Sequence, residues 1–257
     1  MSVEEINEKE FFLIFVSLWF LIASAYGNKH IDGLSFVHKR LVFEHGSRGI
    51  SFSLKNLENY PYLIQASISI PNEAMRENKK ANDDDIPFII TPPLYRLESQ
   101  AEYSWQIKSS GNLNLLPQDR ESVFFIVLKA IPPRGSKNTI KFKNTESNLT
   151  FTTVIYYKFY YRPELIKSVN VKSVKDKLSF SVVDNVLQVK NDSPIYLIFS
   201  ELSVGDFKFG NKKPIEMVPP FGVQNYQLPQ GNYRNSKVIW RLRNERMQSL
   251  PKETIKL

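Results

Sequence analysis

Few residues in this chain have the types and spacing that catalysis or metal binding demands. The histidines, His30, His38 and His45, cluster near the N-terminus and alternate with apolar residues, a pattern of surface positions rather than of ligands. Asp83, Asp84 and Asp85 are consecutive, whereas a calcium loop places its oxygen ligands at alternate positions, so the run reads as a solvated loop. No GxSxG, HExxH, GxxxxGK[ST] or GxGxxG pattern occurs, which removes the common hydrolase, metalloprotease, phosphate-loop and dinucleotide signatures. Cysteine is absent, which excludes thiolate chemistry and zinc ribbons. The expectation is accordingly of no metal and no cofactor, and the missing motifs by themselves argue only weakly against catalysis.

The chemistry that remains is that of binding. Residues 149–158, LTFTTVIYYK, place Leu149, Phe151, Thr153, Ile155 and Tyr157 on one face of a strand and Thr150, Thr152, Val154, Tyr156 and Lys158 on the other. Ile140 and Phe142 carry the same alternation upstream, inside a polar loop where a solitary domain has little use for apolar residues. Such a segment is either an ordinary sandwich strand or an exposed edge that a partner must cover, and the pattern alone leaves both open. Tyr156 to Arg162 interleaves aromatic and basic residues, a combination able to stack single-stranded bases.

The elements that position these residues are strands. The chain has 257 residues, 42% of them hydrophobic and 23% charged, with eighteen Phe and twelve Tyr, enough for two ordinary domains with a β-rich interior. Apolar residues recur with period two at 50–54 and 62–70, and short runs follow at 35–43, 103–107, 123–131, 149–160, 178–183, 186–190, 196–202 and 237–242, punctuated by Pro, Gly, Asn and Asp. The spacing predicts an all-β chain of two β-sandwiches, 26–161 and 162–257, joined through Tyr161, Arg162, Pro163 and Glu164. Residues 71–87 and 133–148 read as long polar loops.

Residues 11–25 form an apolar run of signal-peptide length that ends Ala23-Ser24-Ala25, which predicts a cleaved signal over 1–25, although the preceding segment carries four Glu against one Lys. The mature chain would then be an exported protein with 33 basic and 22 acidic residues, net +11. That charge suits nucleic acid, an anionic membrane or an acidic protein, and export sets nucleic acid aside.

TPPLYRLES (91–99), LPQDRES (116–122), IPPR (131–134), YYRP (160–163) and NDSPIYL (191–197) occur in that order, and the set resembles periplasmic chaperones of the chaperone/usher pathway over both expected domains. The resemblance implies two immunoglobulin-like domains in an L or boomerang arrangement, a periplasmic location, pilin or fimbrial subunits as partners, delivery to an outer-membrane usher, and no enzymatic activity. It implies that residues 149–158 lend a strand to an incomplete subunit, with Leu149, Phe151, Thr153 and Ile155 inserting and Ile140 and Phe142 extending the set. Thr153 departs from the larger apolar residue usual there. Arg40 and Lys158 match the pair that holds the subunit's terminal carboxylate. Glu121, Arg162 and Glu245 match an interdomain ion-pair group, with Glu245 where Asp is usual. A free chaperone of this kind can cap its own edge as a homodimer.

Twenty-six residues separate IPPR from the final YRP, and fourteen precede Arg40 in the mature chain. Both lengths favour the long-loop subfamily, whose cysteine pair this chain lacks. The competing reading is a secreted immunoglobulin-like adhesin or structural pilus subunit; two domains with YRP between them argue against it.

Overall fold

The computed structural model describes residues 28–31, 33–37, 39–71, 86–134, 139–141, 148–211 and 213–257, with the side chains of 28–31 and 139–150 left aside. The expected signal, Phe142, and the side chains of Ile140 and Leu149 therefore lie outside the described residues. The N-terminal part contributes β1 (Asn28–Ile31), β2 (Leu34–Val37), β3 (Leu41–Glu44), β4 (Ile50–Asn56), β5 (Tyr62–Ser69), β6 (Phe88–Thr91), β7 (Leu94–Leu97), β8 (Glu102–Ser109), β9 (Ser122–Ile131), β10 (Thr139–Lys141), β11 (Asn148–Thr150) and β12 (Thr153–Arg162). These form sheets ordered β1-β2-β4-β8-β6 and β3-β12-β9-β5-β7, with β10 and β11 pairing only each other. The two five-stranded sheets close over one core. Trp105, Tyr62, Phe159 and Tyr161 are fully buried there, and Phe88 packs its ring against Phe43, Phe124 and Phe159 at 5.0–5.3 Å.

The C-terminal part contributes β13 (Leu178–Val183), β14 (Val186–Asn191), β15 (Phe199–Val204), β16 (Phe207–Lys208), β17 (Gly222–Gln227), β18 (Lys237–Leu242) and β19 (Glu253–Lys256). Sheets β13-β14-β17 and β16-β15-β18-β19 enclose a second core of Leu187, Val189, Leu197, Val204, Val218 and Val238. Each domain carries one fully buried asparagine that ties down a loop. Asn56 donates to the Tyr60 and Glu98 carbonyls and accepts from Glu58 N–H. Asn191 does the same with Ile195, Pro219 and Ser193.

Two runs expected as single strands are divided. The 35–43 run belongs to both sheets: β2 lies in one and β3 in the other, and the chain crosses between them at Lys39 and Arg40. The 149–160 run breaks at Phe151 and Thr152, with β11 folded back on β10 before and β12 paired with β9 after. Both breaks serve the site, because a residue that leaves a ladder turns its backbone and side chain to other partners.

Candidate functional site

β12 is an inner strand over only part of its length. β9 pairs with it from Thr153 to Tyr161, whereas β3 joins its other side in parallel only from Phe159 to Arg162. Over Val154, Ile155 and Tyr156 no described strand covers that second edge. The side chains follow the pleat: Ile155, Tyr157 and Phe159 are buried, while Val154 is 40% and Tyr156 49% exposed. Ahead of β12, Phe151 is 52% exposed and stands in the break between β11 and β12. Of the residues expected to insert into a partner, Ile155 is already part of this domain's own core. Its period-two pattern was read correctly, but period alone does not say whose core a side chain fills. Thr153 is half-buried, and Phe151 is the described member of the set that solvent reaches.

The first registered pair of the β3–β12 ladder is Phe159 with Leu41, so Lys158 and Arg40, one residue earlier on each chain, stand at the ladder's end. Both line a cleft of about 740 Å³ between the two domains. Its cationic lining is Lys39, Arg40, Lys158 and Arg243, and its apolar lining includes Tyr156, Ile198, Phe209, Ile215 and Met247. Among the described residues no carboxylate lines it. Lys158 is exposed, forms no ion pair among the described residues, and has its ammonium 5.9 Å from the Phe125 ring centroid. The mass of the cleft around it holds its pKa below the ordinary lysine value, and Glu216 opposes that shift.

Arg40 is placed differently. It is 7% exposed, its guanidinium lies 4.0 Å over the Tyr160 ring, and its Nη1 donates to the Tyr196 carbonyl at 3.0 Å. Nη2 donates to Glu121. The buried Nε has no acceptor, an open donor on the anchor side chain that the sequence implied. Burial between these groups also pushes the Tyr160 hydroxyl up to about 12.

Glu121, 2% exposed, is the centre of the domain junction. One carboxylate oxygen accepts from Arg162 Nη2 at 2.7 Å and Nε at 3.1 Å. The other accepts from Arg40 and, at 2.9 Å, from the Tyr196 N–H. Arg162 Nη1 reaches the Val169 carbonyl at 2.9 Å. Two guanidinium groups and a backbone amide thus satisfy one buried carboxylate. Glu245, expected as the acid of this group, forms no ion pair among the described residues: its carboxylate accepts from the Val171 N–H at 2.8 Å. Val171 opens a 3₁₀ turn, where an amide lacks an intrahelical acceptor, and it is fully buried. Glu245→Ala should therefore destabilise the C-terminal domain by about 1–2 kcal/mol, read as a melting temperature lower by several degrees.

Sequence reasoning missed Tyr196, whose contribution is made by backbone atoms that leave no mark on the residue pattern, and Tyr160, whose aromatic run suggested only a core. Of the histidines, expected at the surface, His45 is half-buried and shares a 2.9 Å hydrogen bond with Tyr161. Among the described residues no cluster could hold a metal ion, and no helix is long and apolar enough to cross a membrane.

Comparison with known proteins agrees with this arrangement. Residues 33–167 match the family "Pili and flagellar-assembly chaperone, PapD N-terminal domain", and residues 173–245 match "Pili assembly chaperone PapD, C-terminal domain". The chaperone protein caf1M of Yersinia pestis is 30% identical over 83% of this chain and 81% of its own length. The chaperone protein FimC of Escherichia coli K12 is 30% identical over 99% and 96%. Among solved structures, the E. coli chaperone DraB superposes with a TM-score of 0.70 at 26% identity, covering 87% of this chain and 98% of its own. A chain of the Salmonella enterica SafA pilin–SafB chaperone complex gives 0.71 at 24% identity, over 89% and 98%, a likeness of fold. With both domains matched in order, and with the half-covered strand and the basic cleft in place, the chain belongs to the pilus-assembly chaperones, a family of non-enzymatic, two-domain β-sandwich proteins.

Proposed function

We propose that this chaperone holds its pilin subunit in the periplasm by donating β12 and the segment before it to an incomplete subunit sheet, and that Arg40 and Lys158 hold the subunit's terminal carboxylate. The observation that carries the reading is the half-covered strand: β3 stops at Phe159, so the outer edge over Val154–Tyr156 stands where a partner strand can add. Backbone hydrogen bonds along that edge would supply affinity, and Phe151 an apolar side chain for the subunit core. Leu149, Ile140 and Phe142 extend the donated segment by the same alternation. At the strand's end a carboxylate would meet the open Arg40 Nε and the Lys158 ammonium, both donors suited to an anion entering a half-dry cleft.

In this reading the subunit is then passed to an outer-membrane usher, and the free protein shields the same edge in a homodimer. Two solved structures of similar fold hold a chaperone in complex with its subunit, the SafA pilin of Salmonella enterica in one and a tip adhesion subunit of Acinetobacter baumannii in the other, and that is the partner class proposed here.

The test is co-expression with the pilin-like protein encoded nearest to this gene, followed by recovery of the exported complex. Phe151→Ser should weaken the complex by about ten- to a hundredfold, the loss expected when one large apolar side chain is no longer buried. It should leave the free chaperone's melting temperature unchanged, because Phe151 is half in solvent already. Equal recovery of pilin with parent and variant would defeat the donor-strand reading.

A further inference from the structure

Among the described residues six non-glycine residues have left-handed backbone: Gln100, Asp184, Asn185, Phe221, Asn235 and Met247. Asp184, Asn185 and Asn235 are of the types that tolerate this conformation. Gln100 gains two side-chain hydrogen bonds, to the Leu57 and Glu58 carbonyls. Phe221 places its ring 5.2 Å from the Arg120 guanidinium, across the domain junction. Met247 has no such return within the chain. Its φ is +61°, its side chain is half-buried and makes no hydrogen bond among the described residues, and it is not packed against the C-terminal core.

The local geometry explains the strain. Met247 N–H donates to the Asn244 carbonyl at 2.9 Å, and Asn244 N–H donates to the Gln248 carbonyl at 2.9 Å. This closes a three-residue hairpin loop whose last position is left-handed, the place where glycine or asparagine is ordinarily found. Three contacts fix the loop on the cleft wall: the Glu245 carbonyl accepts from Arg40 N–H at 3.2 Å, the Glu245 carboxylate holds Val171, and Arg243 Nη1 donates to the Met247 carbonyl at 2.9 Å. Met247 itself lines the cleft that holds Arg40 and Lys158.

Strain kept where the surroundings hold the backbone in place is a mark of function, and a thioether side chain adapts to an irregular apolar surface. We propose that Met247 is a subunit-contacting residue that packs on the apolar part of the pilin chain just ahead of the terminal carboxylate. This inference rests on the anchor reading given above.

Two variants test it against the same pilin-like protein. Met247→Gly removes the strain and the contact together: the free chaperone should melt about 2–4 °C higher, while the complex dissociates about tenfold faster. Met247→Leu keeps strain and apolar bulk, so both quantities should stay near the parent values. A Gly variant whose complex is as long-lived as the parent's, or a Leu variant that dissociates as fast as the Gly one, overturns the proposal. Arg40→Ala in the same assay separates the two failures. If it weakens the complex while Met247→Gly does not, only the Met247 contact is wrong; if Arg40→Ala has no effect, the anchor reading fails and this inference falls with it.

Discussion

Glu121→Ala is expected to lower the unfolding free energy by about 3–5 kcal/mol, the loss seen when one partner of a buried ion pair is removed, and the melting temperature by about 10 °C. The reason is that its carboxylate has four donors: Arg162 through two nitrogens, Arg40 through one, and the Tyr196 amide. Without it two buried guanidinium groups are left facing each other, and a backbone N–H of the other domain loses its acceptor. Scanning calorimetry of the free chaperone reads the effect. Glu121→Gln, which keeps the shape and an acceptor oxygen, should fall between the alanine variant and the parent. A melting temperature for Glu121→Ala within a degree of the parent would mean that the junction contributes no stability.

The second large effect separates the two members of the proposed anchor. Lys158→Ala should weaken pilin binding by about 2–5 kcal/mol and leave the free protein's stability within about 0.5 kcal/mol, because Lys158 holds no ion pair among the described residues. Arg40→Ala should show a comparable binding loss together with a lower melting temperature, because Arg40 also joins Glu121 to the Tyr196 carbonyl. A pH series adds a sign. Burial depresses the Lys158 pKa, so its charged form is lost at a lower pH than for an ordinary lysine. Carboxylate capture should accordingly weaken as pH rises toward the normal lysine range, and Lys158→Ala should abolish that part of the dependence. Titrations of complex stability against pH for parent and variant decide it; parallel curves would remove Lys158 from the anchor.

What the residue pattern disclosed and what it did not divides along a physical line. Period-two runs located β4, β5, β8, β13, β14 and β18, because each half-buried strand must alternate, and the continuous apolar run at 123–131 located β9, which is buried on both faces. The same rule could not place β6 and β7, four residues each beside a Pro-Pro pair, where too few alternations exist to register. Nor could it see that the 35–43 run changes sheets at Arg40, since alternation is blind to which sheet a face belongs to. In the site, Arg40, which the resemblance set beside Lys158, also joins Glu121, the acid that holds Arg162. Glu245 caps an amide instead, and the acceptor and donor from Tyr196 are backbone atoms with no sequence signature. Ile155 kept its phase, yet its burial inside this chain's own core depends on how far β9 and β3 extend, a property of the whole sheet.

The unequal cover of β12 also bears on how such proteins diversify. From Phe159 onward the strand is held by β3, β9 and the aromatic core, so nearly any substitution there disturbs folding. On the proposed donor-strand reading, the chain ahead of Ile155 answers mainly to the subunit, and changes at Phe151 and its neighbours can follow a drifting fibre subunit without eroding the chaperone itself. One strand thus contains a half fixed by the fold and a half left free for change. Exchanging residues 148–154 between related chaperones is the smallest graft that should move a preference for one fibre onto the scaffold of another.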